Sequence, residues 1–367
     1  MPKDEKRRKS SKYLALFVYN QENFIREAVS AAFAQTYSPL EIILSDDCSN
    51  DQTFTIMRDM AGAYRGPHTI ILNRNNHRLG IGGHVNRIME IAEGMLIIAA
   101  AGDDISAPER VERMYHVYES TKGNAKSIFS NNFITNACGE IQRLDFIEPV
   151  VEDQYSPENM AEGSFEIAGC SHAWSREIFD IFGPMITPLT CEDRVIPFRS
   201  ALLGGIKYIH DPLVRHRRHE NNTWHYGHCK EIGKIIKHDI FVTFEWKYIF
   251  ENWLRDLEKM RNLFPEREAE MRHLKNIVSR RLSIIEDDIG LITDKWPDKM
   301  RILVKKVLEG EDIKIIRHKI GRSCMPKIYR KYMIWKTEKT FRKSTNEKLR
   351  TRERGSTSCI SLFRPQE

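Results

Sequence analysis

The sequence predicts an α/β fold, a mainly parallel sheet flanked by helices, followed by a C-terminal helical subdomain. Three observations carry that prediction. Short runs of aliphatic and aromatic residues alternate with helical repeats from Tyr13 to Asn132. The runs stop at polar or acidic clusters, as strands do at the ligand-binding edge of an open α/β sheet. From about Lys230 the apolar spacing becomes helical throughout.

The elements follow in chain order. Tyr13–Tyr19 is apolar and rich in β-formers, and Asn20-Gln21-Glu22-Asn23 breaks it. Phe24, Ile25, Ala28, Val29, Ala32 and Phe33 then fall on one helical stripe, and Pro39 closes the unit. Leu40–Ser45 is a second strand, stopped by Asp46-Asp47-Cys48-Ser49-Asn50-Asp51. A helix is expected over Thr53–Tyr64 and a third strand over Thr69–Asn73. Strands and helices alternating at this spacing require right-handed crossovers and parallel neighbours. The loop Asn73–Gly83 is polar, and Arg74 and Arg78 within it are placed to meet a diphosphate. Its Gly80–Gly83 segment matches no full glycine-rich nucleotide fingerprint and reads equally as a turn before a helix His84–Glu93.

The chain is organised around Met95–Pro108. The apolar run Met95–Ala101 has the length of a buried strand and is too short to cross a membrane. It stops at Gly102, and the adjacent acids Asp103 and Asp104 follow. Neighbouring carboxylates repel each other unless a cation is shared with their target. A divalent ion held by carboxylates, phosphate oxygens and water meets that need, as Mg²⁺ or Mn²⁺. The pair also fits a solvated turn capping the helix that starts near Ala107.

Pro108–Ser120 is an amphipathic helix and Ser127–Asn132 a strand. Residues 137–163 are irregular and acidic, a loop or lid over the cleft. In Gly169-Cys170-Ser171-His172-Ala173-Trp174, small residues suit a backbone passing close to a ligand, while Trp174 also fits a packed core. Thr190-Cys191-Glu192-Asp193-Arg194 is a second acidic cluster, opening a helix over Val195–Leu203. A carboxylate at a helix start is expected to have a lowered pKa, and so to be ionised and able to accept a proton. Lys207–Ile209 is a further strand running into Arg215–Trp224, which is dense in arginine and histidine. That cluster is a solvated basic loop or, across a cleft from the acid pair, a phosphate or metal partner.

The segments near 249–263, 267–288 and 298–309 keep helical spacing, with aromatic stripes best read as core. Residues 312–354 combine apolar residues with many Lys and Arg, as in a helix lying on an anionic bilayer face. A basic helix docked on a protein, or a nucleic-acid-binding tail, fits the same pattern. The expected divisions are a basic, disordered N-terminus 1–11, a sheet domain 12–225, a helical subdomain 226–311 and a basic tail 312–367 whose end is disordered.

Composition narrows the function classes. The net charge of +6 sits at the two ends, since residues 312–367 hold sixteen basic against five acidic groups. The body between is acidic, which argues against nucleic acid in the main cleft. The charged N-terminus has no apolar segment of a secretory signal, and the seven scattered cysteines suggest reduced thiols. A cytoplasmic protein is expected, with its basic tail suited to the inner face of the cell membrane.

In order, these motifs resemble the family 2 glycosyltransferases, which have the GT-A fold, over residues 12–224. Tyr19-Asn20 resembles that family's Tyr-Asn at the end of the first strand. Gln35-Thr36-Tyr37, Glu41-Ile42-Ile43 and Asp46–Thr53 resemble its Gln-Thr-Tyr, Glu-Ile and Asp-Asp-Gly-Ser-x-Asp-x-Thr segments. Gly102-Asp103-Asp104 is similar to its metal motif. Glu192-Asp193 with Arg199 is similar to its Glu-Asp…Arg signature, and Arg217-x-His219 to its closing Arg-x-His. The sequence departs from the pattern where Phe17-Val18 replaces the usual Pro, where Cys48 replaces Gly, and where Ile105 replaces a third-position acid.

The resemblance implies a metal-dependent, inverting transfer of a sugar from a nucleoside diphosphate sugar, of UDP or dTDP type, to an acceptor hydroxyl in surface polysaccharide or glycolipid assembly. Tyr19 would stack on the base, with Asn20 beside it, and Asp47 would hydrogen-bond the base. Asp103 would hold the ribose side, and Arg74, Arg78 and Arg217 would serve the donor's phosphates. Asp104, joined by His219, would hold Mn²⁺ or Mg²⁺. Asp193 would be the general base, with Glu192 beside it as a second catalytic carboxylate. The acceptor would be a saccharide or a lipid-linked saccharide. Two rival classes are a sugar nucleotidyltransferase, whose glycine-rich basic loop Asn20–Asn23 does not supply, and a non-catalytic binder of anionic surfaces through the tail.

Overall fold

A computed structural model describes residues 12–145, 155–163, 165, 167–220, 222 and 232–308. The first half comprises β1 (Lys12–Val18), α1 (Ile25–Phe33), β2 (Glu41–Asp46), α2 (Thr53–Ala63), β3 (Thr69–Arg74), α3 (Gly80–Ile91) and β4 (Leu96–Ala101). β1 lies between β2 and β4, β3 flanks β2, and all three pairings are parallel. Leu14, Leu16, Ile42, Leu44 and Ile98 are buried in one core. Helices cover such strands on both faces, so they read as continuous apolar runs. α1 buries Ile25, Ala28, Val29 and Ala32, the stripe its spacing predicts.

The second half adds β5 (Ile105–Ser106), α4 (Arg110–Ser120), β6 (Ser127–Thr135), β7 (Ile141–Asp145), α5 (Pro157–Glu162), β8 (Ala173–Ser175), α6 (Glu177–Phe182), α7 (Glu192–Leu203) and β9 (Ile206–Arg217). β8 pairs antiparallel with both β4 and β6, and β9 runs parallel to β6. The sheet order is therefore β3-β2-β1-β4-β8-β6-β9-β5, with β7 on β6. Active-site loops gather where the parallel strands end.

Three elements differ from the sequence reading. α3 starts at Gly80, so Gly80–Gly83 is its first turn rather than a phosphate loop. The Gly82 N–H donates to the Leu189 carbonyl at 2.8 Å, and a Cβ on Gly82 would come within 2.9 Å of that oxygen. The glycine there serves packing. The segment expected to be irregular contains β7 and α5, while its residues 146–154 lie outside the described set. β9 continues for 12 residues, so Arg215 and Arg217, two of the basic cluster's three arginines, stand on a strand.

Three further helices follow, α8 (Ile232–Leu263), α9 (Glu268–Thr293) and α10 (Trp296–Leu308). By contact density, one compact unit holds the described residues within Met1–His225 and Phe244–Ile284, and another those within Tyr226–Thr243 and Ile285–Glu367. Phe244–Ile284 thus groups with the sheet, although the sequence places it in the subdomain 226–311. Its anchor is visible: the fully buried Arg199 pairs with the fully buried Asp256 at 2.7 Å, and Arg199 also donates to the Gly183 carbonyl. The second unit has its own small contacts, Leu291 packing with Leu303 and Lys306 pairing with Asp287. Among the described residues no helix is long and apolar enough to cross a membrane. The termini 1–11 and 312–367, with the expected membrane-facing tail, lie outside the described residues.

Candidate active site

A cavity of about 740 Å³ opens at the C-terminal ends of β1, β2 and β4. Tyr19, Asn20, Asp47, Arg78, Asp103, Asp104, Glu192, Asp193 and His219 all line it. Nine of the eleven residues singled out from sequence therefore share one space, and Asp104 and Asp193 share its wall. Arg74 and Arg217 do not line it.

One end of the cavity grows from the turns after β1 and β2. Asn20 and Cys48 both take left-handed backbone conformations, φ 51° and 63°. Cys48 thus keeps the conformation that glycine adopts freely. Asn20 Oδ1 accepts the Asn50 N–H, and the Asn20 N–H donates to Ser49 Oγ, locking the two turns together. Asp47 accepts from the backbone N–H groups of Leu79 and Gly80 and from Asn75 Nδ2, all within 2.9 Å. It anchors the start of α3. The Arg78 guanidinium covers the Tyr19 ring at 4.1 Å. Arg74 turns away from the cavity, where Asp46 at 3.3 Å and the Ser49 carbonyl hold it.

The acid pair after β4 divides its partners. Asp103 Oδ2 lies 3.0 Å from His219 Nε2 and accepts from Asn222 Nδ2. His219 also stacks on Phe24, with ring centroids 4.6 Å apart. Asp104 Oδ1 accepts the Arg217 backbone N–H at 2.8 Å. Burial and the Asp103 charge push the Asp104 carboxyl well above the usual range, while Arg110 and Arg217 pull it back. The buried Arg217 donates to the Asp103 and Ala137 carbonyls and to Glu27, so it braces the turn from behind.

Of the expected metal pair, His219 faces Asp103, while Asp104 sits in a three-residue group capable of holding a metal. Ligand atoms of Asp104, Cys170 and His216 lie within 4.8 Å of one another, and Cys170 Sγ is 3.1 Å from His216 Nδ1. The set offers one carboxylate oxygen, one imidazole nitrogen and one sulfur. It fits a divalent cation and is softer than the all-oxygen set Mg²⁺ prefers. Strand alternation explains the exchange of residues. Successive β9 side chains point to opposite faces, so His216 and Arg218 reach the cavity while Arg217 points behind it. Beneath them Arg110 is fully buried and bonds the Ala99 and Cys170 carbonyls.

At the far wall, Glu192 and Asp193 begin α7. Gly169 packs against them so closely that a Cβ would come within 2.9 Å of Glu192 Oε1. The close approach here is to an acid of the chain itself, whereas the small residues near His172 suggested an approach to a ligand. Burial raises the Asp193 carboxyl to about 6, against the pull of Arg194 and a Gly169 N–H. Burial and the Asp193 charge raise Glu192 to about 8. The lowered pKa expected at a helix start is thus reversed, because burial outweighs the helix-terminal field. Trp174 is buried in the core, donates to Met89 Sδ at 3.3 Å and also lines the cavity. His172 is core, bonded to Ser127 Oγ at 2.8 Å.

Known proteins place this arrangement. The profile of the family described as Glycosyl transferase family 2 matches residues 14–179, from β1 to within α6. Over those residues the chain is similar to that family. The Mycobacterium tuberculosis protein Rv1520 is 36% identical over 241 residues, covering 62% of this chain and 65% of that protein. An Escherichia coli protein, UDP-Glc:alpha-D-GlcNAc-diphosphoundecaprenol beta-1,3-glucosyltransferase WfaP, is 30% identical over 109 residues, covering 30% of this chain and 41% of its own. The chain spans less than two thirds of the length of the curated relatives it matches. Among solved structures, S. aureus TarS 1-349 in complex with UDP has a TM-score of 0.51 at 15% identity, covering 80% of this chain and 78% of that one. That likeness shows the fold, the GT-A architecture.

Proposed function

We propose that this chain is an inverting glycosyltransferase that moves a sugar from a nucleoside diphosphate sugar to an acceptor hydroxyl in glycan assembly. The observation that carries the reading is that Asp104 and Asp193 line one cavity together with the Tyr19–Asp47 end. Tyr19 stacks on the donor's base, with Arg78 shifting from its ring to the diphosphate. Asp103, oriented by His219 and Asn222, holds the ribose side. Asp104, Cys170 and His216 are the residues that hold a divalent cation beside the diphosphate. When bound, such a cation supplies Lewis-acid stabilisation of the leaving group's charge. Arg218, on the same strand face as His216, adds a fixed positive charge there.

Asp193 takes the proton of the acceptor hydroxyl as its oxygen attacks the anomeric carbon from the face opposite the diphosphate. A base that titrates near 6 is well matched to this task close to neutral pH. Glu192, raised to about 8, keeps its proton there and so leaves the single negative charge on Asp193. The E. coli relative's name gives a lipid diphosphate acceptor, and a saccharide or lipid-linked saccharide is the acceptor class proposed here.

Calorimetric titration with UDP, with and without Mn²⁺, tests the reading, together with NMR of the product's anomeric proton. We expect Mn²⁺ to tighten UDP binding and the new linkage to be opposite in configuration to the donor. A retained configuration, or no nucleoside diphosphate bound with any divalent ion, would sink it.

A further inference from the structure

The buried polar network behind the nucleotide end has a fixed direction. Asp47 already accepts backbone N–H groups on both oxygens, so it meets the network as an acceptor. Asn75 must therefore present Nδ2 to it, at 2.9 Å, which leaves Asn75 Oδ1 to accept from Asn73 Nδ2 at 3.0 Å. The second proton of Asn73 Nδ2 goes to Ser45 Oγ at 2.9 Å. The Ser45 hydroxyl proton is thereby turned onto His84 Nε2, at 2.6 Å. With Nε2 accepting, the neutral imidazole carries its proton on Nδ1.

Burial keeps the imidazole neutral, lowering it to about 4 despite the nearby Asp47 charge. His84 is 4% exposed and lines the cavity, and the Phe17 ring packs on its edge at 5.2 Å. Nδ1 has no hydrogen-bond partner among the described residues, yet it is not sealed from the cavity as Nδ1 of His68 and His172 are. It is a donor waiting for an acceptor.

We propose that His84 Nδ1–H reads the donor's nucleobase, donating to a ring carbonyl and so selecting bases that carry an oxygen where cytosine and adenine carry an amino group. The inference rests on the reading of the Tyr19–Asp47 end as the nucleotide site. A donor fixed through the chain Asp47–Asn75–Asn73–Ser45 cannot turn over to accept from an amino group. An amino group there sets two donors against each other, a mismatch worth about 5- to 100-fold in affinity.

The test compares UDP and CDP binding by calorimetry in the full chain, in His84→Phe and in Ser45→Ala, alongside ¹⁵N imidazole shifts of labelled histidine. We expect UDP to bind at least about tenfold more tightly than CDP, and His84→Phe to cut that ratio at least about fivefold. Ser45→Ala retains the ring but frees its tautomer, so the ratio falls by a smaller factor. The ¹⁵N spectrum should show Nδ1 protonated in the native chain and a tautomer mixture in Ser45→Ala. A ratio unchanged in both variants, equal binding of UDP and CDP by the native chain, or a proton on Nε2 overturns the assignment to His84 alone. Failure of the native chain to bind either nucleotide overturns the nucleotide site itself, and this inference with it.

Discussion

The two ends of the cavity treat their carboxylates in opposite ways. Asp47, at the Tyr19 end, has three N–H donors within 2.9 Å, and Asp103 has His219 and Asn222. These acids are held by directed hydrogen bonds and serve as fixed acceptors. Glu192 and Asp193, at the far wall, are enclosed and raised to about 8 and about 6. On the proposed function, one end positions the donor and the other exchanges a proton. The contrast explains how a single sheet edge can carry so many acids without their roles blurring.

The most direct way to break the contrast is to remove the proton acceptor. Asp193→Asn keeps the side chain's size and removes its basicity. Sugar transfer should fall on the order of 10²–10⁴-fold while UDP affinity, measured by calorimetry, stays within a factor of two or so. Transfer at native rate would take Asp193 out of the base role. Asp104→Ala should act at the other end. It removes the Mn²⁺-dependent gain in UDP binding, a loss of at least about tenfold, or about 1.4 kcal/mol. Binding without metal should change little. A native Mn²⁺ response in that variant would move the cation elsewhere.

The pH profile sharpens the same contrast. A base must be deprotonated to act, so kcat/KM should rise about tenfold per pH unit below about 6 and level off above it. Because Glu192 and Asp193 titrate together, the apparent value belongs to the pair. Glu192→Gln should leave the acid limb near 6, since Glu192 still holds its proton there and burial carries the rise of Asp193. An acid limb that stays near pH 4 in the native enzyme would show that burial does not perturb Asp193.

Much of this was legible in the sequence where polarity changes abruptly. β1, β2 and β4 carry the apolar runs Tyr13–Val18, Ile42–Leu44 and Leu96–Ala101, with Asn20, Asp46–Asp47 and Asp103–Asp104 soon after them, so strand and candidate site are marked by the same step. The site at β9 was hidden for the opposite reason. His210, Asp211 and Pro212 interrupt its apolar pattern, and the register slips opposite Asn131 and Asn132. The strand therefore reads as three residues and the rest as a loop. Read to Arg217, its alternation puts His216 and Arg218 on one face and Arg217 on the other. That would have put His216 and Arg218, rather than Arg217, at the cavity wall. Cys170 carried a faint signal in its small neighbours, whereas its place beside Asp104 comes from the pairing of β8 with β4 and β6, which no local pattern encodes. The rise of Asp193 depends on burial by Gly169 and the start of α7, a tertiary fact.

The smallest effect separates the ends by stability alone. Glu192 titrates near 4.5 when unfolded and about 8 when folded, so the folded chain holds that proton more tightly in between. Stability is therefore fully present below about pH 4.5 and falls as pH rises toward 8, where the folded enzyme must accommodate the charge. Glu192→Gln removes this penalty. Its melting temperature should exceed the native value by a few degrees at pH 9, for about 1–3 kcal/mol, and match it near pH 4. Asp47→Asn should behave differently, because its amide turns an N–H₂ toward donors that need an acceptor. That variant should melt below the native chain across the range in which Glu192→Gln gains. If both variants shifted in the same direction at pH 9, the two ends would not differ in kind, and the division between positioning and proton-exchanging acids would fail.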